Sequence, residues 1–154
     1  MKMRKITSCI AALGVLVTTD AWCADAPASI VVSPANSVAA SGDDVQLGIV
    51  MTNNSNASIW VTHSRGTQLT NNSDFLVIAP DGTDLPELPK SSPFRDFTIT
   101  EIKPEEEIHE ITRVNRGYDM TMPGMYKILV TCHIRKDQEF FDVDSNYVSV
   151  TVSR

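Results

Sequence analysis

The stretch "MYKILVTCHI", Met125 to Ile134, decides the fold. Tyr126, Ile128, Val130, Cys132 and Ile134 fall on one side of a period of two, and Lys127, Thr131 and His133 on the other. A helix needs apolar positions three and four apart, so this alternation marks a half-buried strand. Just upstream, "NRGYDMTMPG" (Asn115 to Gly124) sets Pro123 beside Gly124. Proline fixes φ and glycine accepts positive φ, so the pair turns the chain. The segment reads as a corner required by the fold, with the Tyr118 ring packed beneath it and its hydroxyl on backbone, as in a tyrosine corner.

The same grammar runs outward in both directions. "SIVVSP" is a strand closed by Pro34, and "DVQLGIVMTN" sets Val45, Leu47, Ile49 and Met51 opposite Gln46, Gly48 and Thr52. "NNSNAS" supplies turn residues, "SIWVTH" the next strand, and "FLVIAPDG" another that ends in the Pro80-Asp81-Gly82 turn. Between Asp84 and Asp96, "DLPELPKSSPFRD" carries three prolines, which forbid regular pairing and leave a long connection. "FTITEI", a turn at Pro104-Glu105, "EIHEITRV" and finally "NYVSVTV", with Val148, Val150 and Val152 inward, complete the chain. Short alternating strands at regular spacing predict an all-β fold, an antiparallel immunoglobulin-like β-sandwich of about seven strands.

Residues 1–26 read as a secretory signal peptide. Lys2, Arg4 and Lys5 precede the apolar run "ITSCIAALGVLVT", and Ala24 and Ala26 form an A-x-A site. That run is too short for a spanning helix, which needs about 20 residues. Cleavage after Ala26 leaves one domain, residues 27–154, expected to be secreted or periplasmic, without a membrane span, and monomeric. Removing the leader, with three basic and two acidic residues, leaves ten basic against seventeen acidic, a net charge of −7. Such a surface repels phosphate backbones and argues against nucleic acid as a partner. Cys9 and Cys23 depart with the leader, so Cys132 has no intramolecular partner and the domain must rest on its apolar core.

Residues that invite a chemical reading are few. "HEITR", His109 to Arg113, lacks the second histidine of a zinc-protease helix and alternates like a strand. His63, His109 and His133 are far apart in sequence and read as surface histidines. Cys132 shares the apolar face of its strand, which makes it a small buried hydrophobe rather than a nucleophile. "DVDSN", Asp142 to Asn146, reads as a loop with too few oxygens for calcium. "PEEEIHE" (Pro104 to Glu110) is a solvated edge whose charges discourage edge-to-edge association. Asn53, Asn56 and Asn71 begin N-x-Ser patterns, which matter only in a eukaryotic secretory pathway. No catalytic, cofactor or metal residue is assigned.

Four segments carry a family resemblance: "YDMTMPGMYKILV" (118–130), "MTNNSNASIWV" (51–61), "GTQLTNNSDFLVIAPDGTDLPEL" (66–88) and "IKPEEEIHEI" (102–111). Together they resemble the small β-sandwich domain that precedes the catalytic domain in deuterolysin-type metalloproteases. Where that domain has a Pro-Gly-Glu turn, Glu105 here replaces the glycine. The family's helical His-Glu-x-x-His has no counterpart in this chain, so the resemblance implies an accessory domain without the catalytic one. The leading expectation is therefore an exported, non-enzymatic binding domain whose partner is a protein, a secreted protease in the first instance. Arg65, Leu69, Leu85, Leu88, Phe94 and Trp60 are the candidate docking residues, most of them on connections that a rigid scaffold presents. The runner-up is a structural or ligand-binding module for carbohydrate or a cell surface, favoured if Trp60 or tyrosines gather on one sheet face. A small hydrolase comes third, because no nucleophile beside a base can be named.

Overall fold

The computed structural model describes residues 26–64, 73–89 and 97–154. The leader expected at residues 1–26 lies, but for Ala26, outside the described residues, as do Arg65, Leu69, Asn71 and Phe94. The chain is all-β. Its strands are β1 (Ala28–Pro34), β2 (Val38–Ala40), β3 (Gln46–Asn53), β4 (Ile59–Ser64), β5 (Ser73–Ile78), β6 (Phe97–Ile102), β7 (Glu107–Arg113), β8 (Gly124–Lys136), β9 (Glu139–Asp144) and β10 (Val148–Ser153). A 3-10 turn, Val114–Arg116, follows β7. Ten strands among the described residues exceed the expected number of about seven. Eight of them are the segments read as strands from the sequence; β2 and β9 are new, and β9 replaces the loop expected from Asp142 with strand as far as Asp144. Phe141 and Val143 face the core there while Asp142 and Asp144 are exposed, a period of two that the charges mask.

Two open sheets result. The smaller has the order β1-β3-β7; the larger runs β2-β10-β8-β4-β6, with β5 and β9 also paired to β8. β8 organises the larger sheet. β10 pairs with its residues 124–128 and β9 with residues 131–136 along one side. β5 pairs with residues 127–132 and β4 with residues 134 and 135 along the other. The alternation seen in the sequence explains why so many strands meet here. Tyr126, Ile128, Val130, Cys132 and Ile134 are all buried, in one cluster with Leu47, Ile49 and Met51 of β3 and Ile30 and Val32 of β1. Each fully buried side chain of this type is worth about 1.5–3 kcal/mol.

Three asparagines act as backbone surrogates where strands end. Asn146 accepts from the Val32 N–H (2.8 Å) and donates to the Val32 carbonyl (3.0 Å), stitching β1 to the larger sheet. Asn115 does the same for the β3 entry, accepting from the Val45 N–H and donating to the Asp43 carbonyl. Asn53 is fully buried; its amide donates to the Ala57 and Ile102 carbonyls, and its oxygen accepts from Ser55. Buried polar groups persist only when bonded in this way. At the turn before β7, Glu105 adopts φ +64°, so the left-handed geometry a glycine would favour is kept without one. β7 closes one edge of the smaller sheet, with Glu107, His109 and Arg113 exposed along it and Glu110 half-buried on its inner face. Charges placed so are a known defence of strand edges.

Candidate functional site

The chemically suggestive side chains are tied into the fold. Cys132 is buried with its Sγ 2.8 Å from the Ser73 hydroxyl, and burial pushes its thiol up to about 11. His109 projects from a strand, not a helix, and lies 3.4 Å from the exposed Glu107. His133 projects outward from β8 between two carboxylates: Nδ1 lies 2.7 Å from Asp142 Oδ1 and Nε2 lies 3.1 Å from Asp74 Oδ2. The Asp142 hydrogen bond chiefly, and Asp74 with it, hold its pKa above the ordinary histidine value against partial burial. Both ring nitrogens are thus engaged by carboxylates, one on each side of the imidazole. Among the described residues no group of three metal-ligating side chains converges.

The corner at Tyr118 to Tyr126 is architectural in its bonding, with one correction. The Tyr118 hydroxyl does donate to backbone, but to the Phe75 carbonyl of β5 at 2.9 Å, 43 residues away, rather than to a local turn. Its ring also lies 6.4 Å from that of Phe75. The local closure belongs to Tyr126, whose hydroxyl donates to the Met122 carbonyl at 2.8 Å. Gly124 has φ +137°, and a Cβ there would stand 2.6 Å from Pro80 Cβ. The corner therefore seats directly on the Pro80-Asp81-Gly82 turn.

Of the docking residues expected from sequence, Trp60, Leu85 and Leu88 can be placed, and they do not converge. Trp60 faces outward on β4, half-buried, in register with Arg135 of β8, whose guanidinium carbon lies 5.4 Å from the ring centroid. Phe140 of β9 continues the row beyond Arg135 and is 78% exposed. Leu85 packs partly against the core, its N–H on the Val77 carbonyl (2.8 Å). Leu88 is 41% exposed, and its N–H donates to the Gly117 carbonyl at 2.7 Å, which fastens the connection to the 3-10 turn.

That fastening forms one wall of a depression of about 300 Å³. Val45, Tyr118, Met120 and Val152, all buried, provide an apolar floor. Asp43, Asn115, Asp119 and Thr121 stand at the rim. The turn from Ala40 to Asp43 positions Asp43, closed by the Asp43 N–H on the Ala40 carbonyl with Gly42 at φ +92°. Asp119 is oriented by Thr121, whose N–H and hydroxyl both donate to its Oδ1. Burial first, then the charges of Glu87, Asp74 and Asp84, raise the Tyr118 pKa. Sequence reasoning found Leu88 but not Asp43, Met120 or Asp119, which meet only through the fold; the Asp119-x-Thr121 turn was the sole local signal. A wider trough over Gln46, Ile111, Thr112, Arg113 and Arg116 is drawn from one stretch of edge and its neighbour, without facing walls. Compared with known proteins, the chain matches no protein-family model and no curated protein.

Proposed function

We propose that the chain is an exported, non-enzymatic binding domain, an immunoglobulin-like β-sandwich that engages a protein partner at the end bearing Leu88. The single buried cluster shared by the two sheets supports the sandwich reading. The observation that carries the binding reading is the depression beside Leu88, walled by three separate segments and floored by core side chains. The engaged nitrogens of His133 and the buried thiol of Cys132 support a role without catalysis. The partner named by the family resemblance is a secreted protease, which the domain shields or helps to fold. Affinity capture from the secreted fraction tests this, with Leu88→Asp as the comparison. Recovery of a protease by the parent and its loss with Leu88→Asp is the expected result; equal recovery by both removes the site from consideration.

A second reading rests on the Trp60, Arg135 and Phe140 row, which gives the larger sheet an aromatic outer face. It makes the domain a carbohydrate-contacting module. Among the tyrosines only Tyr147 is exposed, whereas Tyr118 and Tyr126 are buried, so the aromatic face is narrow. Retention on a polysaccharide column that is abolished by Phe140→Ala would favour it.

A further inference from the structure

We propose that the depression beside Leu88 is a receptor for one basic side chain, lysine or arginine, presented by an extended segment of the protein partner. The inference rests on the binding reading above and supplies its chemistry. At about 300 Å³, the space stands at the lower limit of small-molecule sites and suits a single long side chain better than a cofactor. Its division into floor and rim has the polarity of such a side chain. A methylene stem lies along Val45, Met120 and Val152, while the charged head reaches Asp43 and Asp119. Lysine and arginine bury their stems on apolar surface and keep their heads in polar surroundings.

Charge selects among the alternatives. Among the described residues no hydrogen bond or ion pair engages the Asp43 carboxylate, and Asp119 uses Oδ1 for Thr121. Arg113 is already paired with Asp44 at 3.0 Å. An acidic side chain meets two carboxylates. A neutral aliphatic chain fills the floor but gives the rim nothing. A cation satisfies both.

The probe is a set of capped tripeptides, acetyl-Gly-X-Gly-amide, with X lysine, norleucine or glutamate, titrated into the isotopically labelled chain and followed by amide NMR shifts. Lysine peptide is expected to move the amides of Gly42 to Val45 and Asn115 to Thr121. Norleucine should bind about three- to tenfold more weakly, the worth of one or two exposed ion pairs, and glutamate more weakly still. The double variant Asp43→Asn with Asp119→Asn should bind lysine and norleucine equally. Asparagine keeps the oxygen that Thr121 uses, and an unchanged spectrum elsewhere verifies the fold. Equal binding of lysine and norleucine by the parent, shifts at another surface, or no shift at the solubility limit overturns the inference. If the domain still captures its partner in that event, the binding reading survives and only the basic-side-chain chemistry falls.

Discussion

Replacing Gly124 with alanine tests whether the corner is structural. Two separate costs arise. At φ +137° an L-residue is held in a sparsely populated region, a strain of about 1–3 kcal/mol. The new Cβ also stands 2.6 Å from Pro80 Cβ and 2.7 Å from its Cγ, so the two turns must separate. Overpacking of this kind costs about 1–3 kcal/mol, and the exposed Pro80 ring can yield somewhat, which favours the lower part of that range. Together they predict a loss of about 2–4 kcal/mol. With a urea m-value of about 2 kcal/mol/M, the midpoint falls by about 1–2 M while m is unchanged. Pro80→Gly removes the steric partner. In a double-mutant cycle the two substitutions should couple by about 1 kcal/mol, the strain part remaining. A Gly124→Ala midpoint within about 0.25 M of the parent would refute the reasoning and return the corner to the candidates for binding.

Further outcomes follow from the described contacts. Tyr118→Phe should lose about 0.5–1.5 kcal/mol in the same melts, more if the Phe75 carbonyl is left without a donor. Cys132, with its thiol pushed up to about 11, should react with a thiol reagent orders of magnitude more slowly in native than in unfolded protein; rapid native labelling contradicts its burial. His133 has a folded pKa raised above its unfolded one, so its proton favours the fold. The stability gap between parent and His133→Gln should be widest below the unfolded value of about 6.5 and close as pH rises through the folded pKa; a gap independent of pH contradicts the two-carboxylate clamp. Asn53→Ala should cost about 2–3 kcal/mol by denaturant melt, because the Ala57 and Ile102 carbonyls lose their donor; a variant as stable as the parent would show the amide to be dispensable.

The strands were legible wherever side chains alternate without interruption. β3, β8 and β10 bury the faces that a period of two assigns, and Val45, just outside β3, is buried with them. β9 was not legible because Asp142 and Asp144 read as loop charges and the exposed Phe140 stands where the outer face would carry a polar residue. β2 is three residues long, too short for any pattern. Nothing local distinguishes Asn53, Asn115 and Asn146 from ordinary turn residues. Their work is to bond backbone 49, 70 and 114 residues away. The same holds for the depression, since Leu88, Asp43 and Met120 belong to segments that only the sheets bring together.

The central place of β8 has a kinetic consequence. Its hairpin with β9 turns through Asp137 and Gln138, with Asp137 at φ +55°, and closes locally. Its partners β5 and β4 are remote: Cys132 pairs with Ser73 and Arg135 with Trp60, 59 and 75 residues distant. Loop-closure entropy must be met before those contacts return anything. The chain should therefore fold on the order of milliseconds to seconds, with the β8–β9 hairpin available early as a template and β5 and β4 arriving later. Substitutions in that hairpin should then slow folding, whereas those in the edge strand β2 should mainly hasten unfolding.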